Sequence, residues 1–139
     1  MTTARHDSLI AAAWRMLDDP TRSTVSAWPR AAALLARQAL EAALTEYWRE
    51  KLPGAERLNM RAQLNCAHSY LGRDLAGELS YTWHALSRAT HHHPYELDLT
   101  REELASLITS SDRLIAALAT AGKPGRSQVS GVSLKSTTS

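Results

Sequence analysis

Apolar residues recur every three or four positions along five stretches of the chain. Each stretch is bounded by residues that start or stop a helix. Leu9, Ile10, Ala13, Trp14 and Leu17 form the first stripe and predict a helix from about Asp7 to Leu17. Asp7 or Ser8 can cap its start. Asp18-Asp19-Pro20 stops it, because the residue before a proline is pushed out of the α region. The second pattern is the longest: Ala33, Leu34, Arg37, Leu40, Glu41, Leu44 and Trp48 recur between Arg30 and Glu50. Pro29 suits its first turn, where a missing N–H costs nothing, and Trp28 before it can staple the start. Arg37 and Glu41 stand four apart and can pair along the helix. Leu52-Pro53-Gly54 ends it.

The third helix starts at the Asn59 cap, carries Met60, Leu64, Ala67 and Leu71 inward, and stops at Gly72. The fourth begins near Asp74, turns Leu75, Leu79, Trp83 and Leu86 inward, and must end by His93 because Pro94 follows. A short extended link, Pro94 to Leu99, leads to the fifth. There Thr100-Arg101-Glu102-Glu103 is a capping box, in which hydroxyl and carboxylate each satisfy the other residue's N–H. Leu104, Leu107, Ile108, Ser111, Leu114, Ile115 and Leu118 give its apolar face, and Gly122 closes it. No strand pattern or internal repeat is visible. The expected fold is all-α: an antiparallel up-and-down helical bundle of four main helices plus a shorter N-terminal helix. It fills residues 1–121, and the Gly-, Ser-, Thr- and Lys-rich residues 122–139 read as a flexible C-terminal tail.

Composition narrows the partners. The chain has 139 residues, enough for one modest core, and no Phe, so that core rests on Leu, Ala, Ile and four Trp. Those Trp read as core or interface residues. The net charge is +2, with 13 Arg scattered along the chain against 3 Lys, which is not the basic patch of a dedicated nucleic-acid binder. Arg49, Lys51, Arg57 and Arg61 can border an RNA groove or simply be a solvated helix end. Cys66, the one cysteine, excludes an internal disulfide, suits a reducing compartment and reads as a small buried side chain. No charged start followed by an apolar run marks a leader, and no stretch is long enough to span a bilayer. A cytoplasmic location without membrane contact is the expectation.

The stretch from Trp83 to His93 holds four of the six histidines: His84, His91, His92 and His93. If the helix persists to His91, then His84, Arg88 and His91 share one face. Three readings compete. Imidazoles bind metal, but adjacent histidines point apart and the spacing matches no zinc signature, even with Glu96 as a further ligand. A structural reading has the cations complement the helix dipole, with Arg88 on the last carbonyls, Glu41 or Glu96. In the third, Arg88 clamps a phosphodiester with its planar fork while a histidine moves a proton near neutral pH. Tyr95 can stack a base or anchor the loop.

Arg88-Ala-Thr-His-His-His93 resembles the signature of HEPN-superfamily domains: an Arg, four to six residues, then a His where a late helix runs into a loop. The run from Ala32 to Leu44 is similar to an early helix of that family, and the resemblance covers about residues 29 to 120. Arg61 to His68 also fits the spacing, inside the third helix. The resemblance implies a metal-independent, cofactor-free endoribonuclease of toxin–antitoxin or antiphage systems, with a cognate antitoxin or other regulatory protein as partner. It implies that Arg88 holds the scissile phosphate of RNA and His93 is the general acid or base. His92, His91 and His84 would assist, and a homodimer would build the site from two copies. Active members often carry Asn, Asp or His after the Arg, where this chain has Ala89. The family also includes non-catalytic dimerisation or partner- and nucleotide-binding modules, which are the second expectation.

Overall fold

The computed structural model describes residues 2–18, 28–91 and 99–123. No β-strand occurs among the described residues. Among the described residues five helices follow in order: α1 (Thr2–Asp18), α2 (Trp28–Lys51), α3 (Met60–Leu71), α4 (Arg73–Thr90) and α5 (Arg101–Gly122), with a 3₁₀ turn at Ala55–Arg57. Of the expected link from Pro94 to Leu99 only Leu99 is described, and of the expected tail over 122–139 only Gly122 and Lys123; residues 92–98 and 124–139 and the side chain of Trp28 lie outside the described residues.

α1 begins five residues earlier than its apolar stripe suggests, because His6 is also buried and extends the stripe by one turn to Ile10, Ala13 and Leu17. At 17 residues α1 is longer than α3, which has 12. The short helix is therefore α3, cut at both ends by local chemistry, and not the N-terminal one. Asn59 Oδ1 accepts from the Ala62 N–H at 2.9 Å and sets its start. Gly72, at φ 87°, is the only residue between α3 and α4. Only glycine takes that conformation without a Cβ penalty.

α2 lies at the centre and packs against α1, α4 and α5. Its buried arc is wide and built largely from alanine: Ala32, Ala33, Ala36, Ala39 and Ala43, with Leu40, Leu44, Tyr47 and Trp48. Small side chains let neighbouring helices approach closely. The arc is centred on Ala36, Ala43 and Tyr47, so Leu34, expected inside, is 36% exposed. Two cross-helix hydrogen bonds tie α2 to α4. Trp83 Nε1 donates to Glu41 Oε2 at 3.0 Å, and Arg37 Nη1 donates to Thr90 Oγ1 at 3.3 Å. The residues they join advance along α2 and recede along α4. Arg113 pairs with Glu78 between α5 and α4, and Arg101 with Asp18 between α5 and α1 at 3.3 Å.

The turn after α2 is held by polar groups. Glu56 Oε1 accepts from the Gly54 N–H at 2.8 Å. Buried Gln63, a residue the apolar pattern passes over, donates through Nε2 to the carbonyls of Glu56 and Leu58 at 3.2 and 2.7 Å. The capping box of α5 forms as expected, with both Thr100–Glu103 bonds at 3.1 Å. Gly122 stays within α5, and Lys123 is its cap. The inward face of α5 is as read from the sequence, save that Leu107 is half-buried. In α4 the buried side chains are Ala76, Leu79, Thr82, Ala85 and Leu86, with Leu75 and Trp83 half-buried.

Tyr47 carries a pH signature. Burial raises its phenol above the ordinary value, and nearby Tyr70 adds to the rise. A raised folded-state value means the fold favours the protonated phenol. That stability is complete below the unfolded value, about pH 10, and is lost as pH rises through the folded one. Thermal midpoints followed upward from about pH 8 should fall more steeply for wild type than for Tyr47→Phe. Coincident slopes would place the phenol in water.

Candidate active site at the end of α4

Arg88 occupies the last turn of α4 and is exposed. Its carbonyl accepts from the His91 N–H at 3.2 Å, and there the helix stops: His91 is extended, at φ −93° and ψ 137°. The helix does not persist to His91, so His91 does not share a helical face with His84 and Arg88. Thr90 supplies the local reason. Its hydroxyl donates to the Ser87 carbonyl at 2.7 Å, satisfying a group at the helix end, while accepting from Arg37.

His84 is exposed one turn before Arg88, on the same face. Its Nδ1 lies 2.7 Å from the Ser80 carbonyl oxygen. A carbonyl can only accept, so Nδ1 carries the proton, and in the neutral ring Nε2 keeps its lone pair. The ring also stands edge-on to Trp83, with centroids 5.2 Å apart. His91 is exposed just past the helix end. His92 and His93 lie outside the described residues, as do Tyr95 and Glu96. Of the five candidates, then, the structure places Arg88 and His84 on one face and His91 beyond its end.

Behind this end lies a polar network that reading the sequence reached only in part. The expected Arg37–Glu41 pair forms, with Nε and Oε2 3.7 Å apart. Its extension to Trp83 and Thr90 crosses between helices and has no local signal. Glu41 is thereby engaged by Arg37 and Trp83, and among the described residues no ion pair reaches Arg88. Ala89, after the motif arginine, is half-buried and packs against the core. Ser87 Oγ and Arg37 Nε are buried without a hydrogen-bond partner among the described residues.

Other candidates fall away from this end. Arg61 and His68 are both exposed within α3. Around Arg49, Lys51, Arg57 and Arg61 the cations alternate with acids. The Glu56 carboxyl is held below its ordinary value by its own and the Gly54 backbone N–H, and further by Arg49 and Arg57. A cavity of about 460 Å³ lies between α1, α2 and α5, lined by His6, Tyr47, Glu46, Glu50, Leu118 and Lys123 among others. Its two glutamates disfavour a phosphate, and no α4 residue lines it. Trp48 is buried, Trp14 and Trp83 are half-buried, and so is Cys66, rather than fully enclosed. Among the described residues no three His, Cys, Asp or Glu gather as metal ligands. No described helix is long and apolar enough to cross a membrane. No family model matches the chain, and no curated protein or solved structure matches it.

Proposed function

We propose that this chain is a HEPN-type, metal-independent endoribonuclease: an antiparallel up-and-down bundle that pairs with a second copy and cuts RNA in the cytoplasm, within a toxin–antitoxin or antiphage system. One observation carries the reading. The helix breaks at Thr90, between an exposed Arg88 on a fixed last turn and the histidines that follow. A guanidinium on a rigid element, followed in the chain by imidazoles just past its end, supplies a charge clamp and a proton carrier, a pair able to cleave a phosphodiester without metal. Arg88 would grip the scissile phosphate. The ribose 2′-hydroxyl would attack phosphorus, losing its proton to a histidine acting as base. The 5′-oxygen would leave with a proton from a histidine acting as acid. The products are a 2′,3′-cyclic phosphate and a 5′-hydroxyl. His93 takes the acid–base role by its place in the motif, and His84 assists through its Nε2 lone pair. Two copies supply the second arginine and histidine.

Ala89 favours a second reading. Its apolar, half-buried side chain offers no polar contact beside Arg88, which suits a non-catalytic HEPN-like module that dimerises or binds a protein or nucleotide partner.

The two readings separate in one assay. Purified full-length protein incubated with single-stranded RNA in EDTA should release fragments ending in cyclic phosphate. Intact RNA in EDTA, or cleavage only on adding a divalent metal, would overturn the nuclease reading.

A further inference from the structure

α4 carries an exposed stripe that the proposed chemistry uses only at one end. Arg73, Gly77, Tyr81, His84 and Arg88 follow at intervals of four, four, three and four, which puts all five on one narrow arc of the helix. All five are exposed, while Leu79, Thr82 and Leu86 are buried on other faces. The stripe holds two guanidinium groups and no carboxylate. Asp74 lies just off it in the first turn, and Glu78 pairs with Arg113 of α5. The charge therefore complements a polyanion laid along the helix.

Tyr81 sits in the middle of this stripe and is 67% exposed, more than any other large hydrophobic side chain described. A long side chain on a helix leans toward the N-terminus, over the residue four earlier. For Tyr81 that residue is Gly77, which has no side chain and no heavy atom within 4 Å of where a Cβ would be. Gly77 thus gives the ring no side chain to pack on. Its distance from Arg88 is seven residues, about 10 Å along the axis, and His84 falls between them.

We propose that Tyr81 is a stacking platform for an unpaired base, and that a single-stranded RNA runs along α4 with a phosphate on Arg88. This rests on the nuclease reading for the phosphate at Arg88 and adds a second contact to the same strand: a base held at Tyr81, with little preference among bases. Stacking tolerates any base because every base has a π-face. In a duplex the faces are already stacked, so Tyr81 adds nothing there.

Fluorescence anisotropy tests this with a labelled 2′-O-methyl single strand, which lacks the nucleophile and stays uncut, and with the same strand made abasic. Tyr81→Ala should weaken binding of the base-bearing strand about tenfold and leave the abasic strand unaffected. Tyr81→Phe keeps the ring and should bind as wild type does. Equal binding by wild type and Tyr81→Ala overturns the proposal, as does wild type binding the abasic strand equally well. So does failure of the base-bearing strand to bind wild type. If Tyr81→Ala instead converts a sedimenting dimer to a monomer, the stripe is an interface between copies and the proposal falls. The two readings fail separately. Cleavage with Tyr81-independent binding sinks only the platform, and Tyr81-dependent binding by a chain that cuts no RNA sinks only the nuclease.

Discussion

Replacing Trp48 by Ala is expected to lower the stability of the fold by about 3–5 kcal/mol. Trp48 is fully buried on α2, the helix that α1, α4 and α5 share. Its ring stands edge-on to Tyr47 at 5.1 Å and to Tyr70 of α3 at 5.4 Å, so one side chain links two helices. Truncation removes that aromatic area and leaves a hole between helices too rigid to collapse fully. A domain of this size has a total stability of only about 5–15 kcal/mol, so the thermal midpoint should fall by roughly 10 °C or more. Trp48→Phe distinguishes the cause. Trp48 Nε1 is buried without a hydrogen-bond partner among the described residues. Phe fills much of the volume and removes that unpaired donor, so it should be clearly milder than Ala. A midpoint for Trp48→Ala within about 2 °C of wild type would show that the ring is not the centre of the core.

That residue also shows what a linear reading could and could not supply. Helix boundaries were legible wherever a local signal sets them: the Asn59 cap, the Thr100–Glu103 box and Gly72 need only a few neighbouring residues. Burial was legible where large apolar residues dominate, as along α5. On α2 it was not, because a buried arc made of alanines carries little hydrophobic signal beside a Leu34 that faces outward. Gln63 is inside because carbonyls five and seven residues away accept from it, and His6 is buried although its Nδ1 has no hydrogen-bond partner among the described residues; no periodicity of apolar residues reports either. At the site, the spacing from Arg88 to the histidines was plain. The one-residue-earlier end of α4 was not, since it depends on Thr90 being held from α2 by Arg37. Tyr81 belongs to no motif, and only its 67% exposure in the folded chain sets it apart from a core aromatic.

Arg88→Ala is the substitution whose effect on activity should be greatest: a fall of about a hundredfold or more in kcat/KM for RNA cleavage, the scale seen when one donor to a developing charge is removed. The loss should come without unfolding. Arg88 is exposed, and surface changes of this kind stay within about 0.5 kcal/mol. One structural contribution has to be separated from the chemistry. A cation in the last turn of a helix is favoured by the dipole by about 0.3–1 kcal/mol, and Arg88 is the basic residue of that turn. Arg88→Lys keeps this charge but lacks the planar fork that grips two phosphate oxygens. It should therefore match wild type in thermal midpoint yet recover only part of the activity. If the loss were merely a frayed helix end, Lys would restore both together. Mixing inactive Arg88→Ala with inactive His93→Ala goes one step further. Where one arginine and one histidine from different copies suffice, with His84 completing the acid–base pair, mixed dimers regain part of the cleavage. Arg88→Ala protein that cuts as fast as wild type removes the guanidinium from the chemistry, and with it the reason for assigning this face of α4 to RNA.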